Sequence, residues 1–97
     1  VPADAQFDAL GDANRREILR LLAERGRSVK EISDAMPISR PAVSRHLKLL
    51  RGAGFVVEEP QGTRRIYRLH DHGPRAVQEY LARVWGFGST ENPTDKS

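Results

Sequence analysis

Cysteine is absent from the 97 residues, which excludes disulfides, zinc-thiolate sites and thiol redox switching on this chain. Long apolar runs are missing too. None approaches the ~18 residues of a membrane-spanning helix, and the opening VPADAQFDAL has neither the basic start nor the apolar core of a signal peptide. The expectation is a soluble, cytoplasmic protein with no membrane partner; Val rather than Met at position 1 points to residues ahead of it. Catalytic signatures are equally scarce. No Gly-rich phosphate loop, paired-carboxylate site or cofactor fingerprint occurs. Ser44 and His46 share one stretch, but helical positions two apart point in different directions, and no orienting acid stands near them. No enzymatic activity and no cofactor are expected.

What is present is one small domain: 97 residues with 38% hydrophobic content lie near the lower limit at which a single core is comfortably stable, so extra burial through dimerisation is expected.

The most informative stretch is Ser28 to Leu69. Ser39 stands before an apolar repeat of Val43, Leu47 and Leu50 at spacings of four and three, one face of a helix. Ser39 can accept a hydrogen bond from a first-turn amide, and Pro41 removes a donor that would have had no partner. The helix is predicted from about Arg40 to about Arg51. At about 100° per residue its opposite face carries Pro41, Ser44, Arg45 and Lys48, flanked by Arg40 and Arg51, with no acid. The helix before it opens on Ser28 with Glu31 three residues later, a capping box, and is expected to bury Ile32, Ala35 and Met36. Pro37 disfavours helical geometry at Met36, leaving Pro37 and Ile38 as a tight turn. Two helices joined so closely must cross at a large angle, which frees the second to project.

After Gly52 and Gly54, Phe55, Val56 and Val57 are β-formers, and Ile66, Tyr67 and Leu69 make a second strand with apolar alternation at Tyr67 and Leu69. The predicted loop is Pro60 to Arg65, whose Gly-containing tip and paired Arg64 and Arg65 suit a minor groove. Helix, turn, helix, basic hairpin is the order of a winged helix-turn-helix, and the predicted fold is mainly α with a small β-hairpin, about five helices plus a two-stranded wing. Charge points the same way. Residues 1–38 hold six Lys/Arg and seven Asp/Glu, residues 39–69 seven and two, residues 70–97 three and four, so the whole net charge of +3 comes from the recognition helix and hairpin. Such a segregated positive footprint suits phosphates.

Around this centre, Phe7 to Leu10 reads as a short helical turn stopped by Gly11. Asp12 caps a helix from about Ala13 to Arg25, ended by Gly26, with Ile18, Leu19, Leu21 and Leu22 on its apolar face. From Pro74 a last helix places Val77, Leu81 and Val84 on one face with Tyr80 and Trp85 beside them. That arc is too wide for so small a domain to bury alone. It is expected to pack with Phe7 and Leu10 across a two-fold axis in a homodimer. The domain is placed at residues 1–86, and residues 87–97 are expected to form a disordered tail.

LGDANRREIL at Leu10 to Leu19, SRPAVSRHLKLLRGAGFV at Ser39 to Val56 and IYRL at Ile66 to Leu69 together resemble the ArsR/SmtB-type bacterial winged-helix transcriptional repressors, over nearly the whole chain from Phe7 to about Trp85. The resemblance implies a dimer built from the terminal helices, and repression by occupying operator DNA, often relieved by an inducer. Many members bind inducing metals, and this chain departs from both of their ligand patterns. Ser28 to Lys30 stand where a cysteine pair would be. Asp71 falls on a ligand position of the last helix, but Gly73, Val84 and Phe87 fall on the others and have no ligating side chain. A metal-independent repressor with an unidentified small-molecule inducer, or none, is what the resemblance implies.

The expected DNA-binding residues are Ser39, Arg40, Pro41, Ser44, Arg45, His46, Lys48, Arg64 and Arg65. Arg40, Pro41, Ser44 and Arg45, in the first turns, reach base edges; Ser39, Lys48, Arg64 and Arg65 hold phosphate or minor groove. His46, on the flank of the buried face, fits a packed imidazole and a phosphate contact equally. His70, Asp71 and His72 form a run of ligand types, but at the end of a strand the run reads as a turn with Asp71 capping the last helix, and no metal is expected. The expected dimer residues are Phe7, Leu10, Val77, Tyr80, Leu81, Val84 and Trp85. The partner is double-stranded operator DNA, which would hold the protein at the nucleoid. Two alternatives stay open: a winged helix that contacts another protein, and an apolar-ligand pocket between the terminal helices.

Overall fold

In the computed structural model, which describes residues 3–86, seven elements follow one another along the chain. They are α1 (Ala3–Ala9), α2 (Ala13–Glu24), α3 (Val29–Ala35), α4 (Arg40–Gly52), β1 (Val56–Gln61), β2 (Arg64–Leu69) and α5 (Arg75–Trp85). The two strands pair antiparallel as a hairpin, with Val56 opposite Leu69 and Gln61 opposite Arg64. The tail expected at 87–97 lies outside the described residues.

The core is built where α2, α3, α4 and the hairpin meet. Ile18, Ile32, Val43, Leu47, Leu50 and Val56 are the largest side chains that are fully buried, and each is worth about 1.5–3 kcal/mol relative to exposure. Local sequence starts each of these helices. Asp12 Oδ1 accepts from the Asn14 and Arg15 amides at 2.8 and 3.1 Å. Ser28 and Glu31 form the predicted capping box, and Ser39 Oγ accepts from the Ala42 amide at 3.3 Å. Between α3 and α4 the turn is fastened by the Ser33 hydroxyl, which donates to the Ile38 carbonyl at 3.1 Å.

A third extended segment joins the hairpin. Arg27 exchanges backbone hydrogen bonds of 3.0 and 2.8 Å with Tyr67, and its buried side chain donates to the Leu21 carbonyl near the end of α2. The approach needs Gly26, since a Cβ there would lie 2.8 Å from side-chain carbons of both Arg68 and Ile66.

The structure departs from the sequence reading at five places. The first helix begins at Ala3, not Phe7. Ala35 is exposed, because the chain turns extended at Met36 and only Met36 reaches the core. The wing strands run further than predicted, to Gln61 and from Arg64, leaving Gly62 and Thr63 as a two-residue turn. Gly62 has φ +63° and no non-Gly residue has positive φ among the described residues, which is the pattern of a type II′ hairpin turn. On β2 the buried residue is Ile66, and Leu69 is exposed. Finally, Asp71 does not cap α5. His70 Nδ1 instead accepts from the His72 and Gly73 amides, and the cap of α5 comes from the other end of the chain: buried Gln6 of α1 accepts through Oε1 from the Ala76 and Val77 amides at 2.7 and 3.3 Å.

Because α5 has no side-chain cap of its own, Gln6→Ala should cost about 1 kcal/mol of stability, as loss of an N-cap does, and release α5 from α1. Urea unfolding measures the first, and a drop in helical circular dichroism before the main transition measures the second. An unchanged midpoint would show that the cap contributes nothing.

Candidate nucleic-acid interface

Burial of Val43, Leu47 and Leu50 fixes the rotation of α4 about its axis and turns Arg40, Pro41, Ser44, Arg45 and Lys48 to solvent. Ser39, also exposed, is committed through Oγ to the helix cap. Arg40, Arg45 and Lys48 have no hydrogen bond or ion pair among the described residues. Three cations thus stand on one helix face with all their donors available.

The hairpin cations are arranged differently. Arg64 lies 3.2 Å from Glu31 of α3, Arg65 lies 2.8 Å from Glu58, and Arg68 lies 2.6 Å from Glu59. Arg51, at the end of α4, also bonds Glu58. The guanidinium groups stay largely in solvent, so the pairs orient them without hiding them. Sequence reasoning places Arg64 and Arg65 on the wing but misses these partners. The signal is two acids in an otherwise basic hairpin, with Glu58 directly across from Tyr67 and diagonal to Arg65, within reach of long side chains.

His46 is half-buried, and its charge helps hold the Asp12 carboxyl below its usual range. The principal causes there are hydrogen bonds from backbone amides, Arg15 first. His46 therefore faces the start of α2, on the flank where the helical wheel puts it. His70 and His72 have rings 6.0 Å apart and tilted by 57°, and no group of three or more His, Cys, Asp or Glu fit to hold a metal occurs among the described residues.

A second surface is apolar. Phe7, Tyr80, Val84 and Trp85 are exposed, Leu10, Val77 and Leu81 are half-buried, and α5 has no buried residue among those described. Phe7 and Tyr80 meet edge to face at 5.6 Å, and Tyr80 and Trp85 at 6.4 Å. The expected dimer residues therefore form one face along α1 and α5.

Residues 12–57, from the cap of α2 to the start of the wing, match the profile described as "Bacterial regulatory protein, arsR family". Over 82 residues the chain is 44% identical to the HTH-type transcriptional regulator Rv2034 of Mycobacterium tuberculosis, covering 84% of this chain and 77% of that protein. It is 36% identical over 80 residues to the arsenical resistance operon repressor of Escherichia coli, covering 81% and 68%. Among solved structures, the homodimeric winged helix-turn-helix DNA-binding domain of Mb0332 from Mycobacterium bovis superposes with a TM-score of 0.69 at 31% identity, covering 84% of this chain and 74% of that one.

The carboxyls of Asp12, Glu31 and Glu58 are all held below their usual range. The causes are, respectively, the Arg15 amide, the Ser28 amide and the Arg65 guanidinium. A carboxyl whose pKa is depressed in the folded state adds stability that is complete above its unfolded value, about 4, and is lost as pH falls through the folded one. Unfolding midpoints should hold from pH 7 to about pH 5 and decline below about pH 4. Asp12→Asn keeps a competent cap while removing one titrating group, so its acid decline should be shallower. An identical decline in variant and parent would exclude Asp12 from the acid response.

Proposed function

The chain belongs to the ArsR family of bacterial regulatory proteins, and from that premise we propose that it is a homodimeric repressor that reads inverted half-sites in operator DNA, near its own promoter. The observation that carries this reading is the row of unpaired cations on α4, Arg40, Arg45 and Lys48, set opposite a fully buried face. Such a helix enters the major groove N-terminus first. Arg40, Pro41, Ser44 and Arg45 meet base edges, with arginine to guanine the chief specific contact. Ser39, His46 and Lys48 face the phosphates, and Arg64 and Arg65 follow the backbone and minor groove. The protein works in the cytoplasm, at the nucleoid when bound.

Phe7, Leu10, Val77, Tyr80, Leu81, Val84 and Trp85 form the two-fold interface. An apolar strip covered by a second copy sets two recognition helices about one turn of DNA apart, ~34 Å. With no cysteine in these residues, an inducer acting by thiolate coordination finds no ligand here, and the reading is of a metal-independent repressor.

Fluorescence anisotropy with a duplex from upstream of the gene and a scrambled duplex, at two salt concentrations, tests the assignment. Tight, salt-sensitive binding with preference for the upstream duplex is expected; weak, equal binding to both would favour a protein partner for the helix-turn-helix. Arg45→Ala should narrow the preference by about 1–3 kcal/mol, whereas Arg64→Ala should weaken binding to both duplexes alike. Equal losses from both variants would refute that division. Val84→Glu should leave the fold intact and yield a monomer by sedimentation at micromolar concentration; a persistent dimer would move the interface elsewhere.

A further inference from the structure

One carboxylate lies where the recognition helix and the wing meet. Glu58 of β1 receives Arg51 from the last turn of α4 on one oxygen, and on the other Arg65 of β2 at 2.8 Å and the Tyr67 hydroxyl at 3.3 Å. Its side chain is only 13% exposed, against 51% for Arg51 and 68% for Arg65. The acid thus lies beneath and the two guanidinium groups above it. Each arginine bonds Glu58 through Nη1, and a guanidinium carries five N–H donors in a rigid fork, so both keep donors directed away from the carboxylate. Two neighbouring cations repel when left alone; a shared carboxylate offsets that repulsion and fixes where each planar head lies. Arg40, Arg45 and Lys48 on the same helix have no such partner among the described residues, which sets the Arg51 and Arg65 pair apart from a merely basic surface.

We propose that Glu58 is a positioning residue for DNA recognition, gathering Arg51 and Arg65 into one preoriented clamp for a backbone phosphate and so fixing how the wing docks relative to the recognition helix. The inference rests on the DNA-binding reading above. An anionic phosphate oxygen seated on both forks would receive charge-assisted hydrogen bonds without breaking either bond to Glu58.

The test uses a duplex selected by the parent protein from a random pool, beside a scrambled duplex. Glu58→Gln keeps the shape and removes one negative charge. Binding to the scrambled duplex should strengthen by a few fold from the added net charge, while preference for the selected duplex falls about tenfold. Arg51→Ala, on an exposed side chain that folding does not need, should lose preference to a similar degree. In an Arg51→Ala/Arg65→Ala background, Glu58→Gln should change the preference no further. If Glu58 is a simple countercharge, both duplexes gain equally and the preference holds, which overturns the proposal. A further fall in the double background overturns it as well, since Glu58 would then act through other groups. A parent protein that binds no duplex at low salt overturns the DNA-binding reading and the clamp together, whereas an unchanged preference in Glu58→Gln removes the clamp alone.

Discussion

Helical phase is the constraint on which the rest of this molecule depends. Val43, Leu47 and Leu50 occupy one side of α4, and their burial leaves no freedom to rotate the helix about its axis. A slip of one residue turns the helix by about 100° and would drive Arg45 or Lys48 toward Ile18 and Ile32. The cost of burying an unpaired cation far exceeds the about 1.5–3 kcal/mol that any one apolar residue returns. The basic face is thus held outward by the core beneath it, and no contact on that face is needed to keep it there. Pro37, Ser39 and Pro41 set the same phase along the axis by fixing where the helix starts.

Within that frame, positive charge is handled in two ways. On α4 it is left unpaired, which gives a group full freedom to choose a partner and full salt sensitivity. On the wing it is paired with Glu31, Glu58 and Glu59, which lowers the net charge of the hairpin but reduces the side-chain freedom its arginines lose when they engage an anion. Exposed ion pairs contribute little to stability, so these acids are better understood as orienting groups. Glu58, bonded to both α4 and β2, also ties the wing to the helix it must act beside.

Legibility in the sequence tracks the range of the interactions. The caps of α2, α3 and α4, the tight turn after Pro37 and the buried face of α4 all depend on residues within four positions of one another, and each is readable from spacing. Ala35 is misplaced because periodicity continues through a helix end, whereas the chain turns extended at Met36. The hairpin reads too short because Pro60 and Gln61 look like loop residues, yet Gly62 alone supplies the positive φ that a two-residue turn requires. The cap on α5 is out of reach: Gln6 lies 70 residues from Ala76, and nothing in its surroundings distinguishes it from an ordinary surface glutamine. The cation face is legible as composition, but which cations are paired depends on strand register and is not.

The terminal helices follow from the same accounting of partners. α1 has seven residues, too short to be stable alone, and it is secured by side chains from elsewhere. Arg15 donates to the Asp8 and Ala9 carbonyls and Arg16 to that of Leu10, satisfying the orphan end of α1, while Gln6 satisfies the start of α5. Each of these is a polar bond that orients without burying much apolar surface, so α5 is held in place by α1 while its own apolar side remains open to solvent. A helix anchored at its start and unburied along its length is arranged to complete its packing with a second copy. On the proposed reading that packing sets the distance between two α4 helices. Because Arg15 both holds α1 and lies beside Asp12, which in turn faces His46 of α4, the geometry of the dimer face and that of the DNA face share one set of polar anchors at the start of α2.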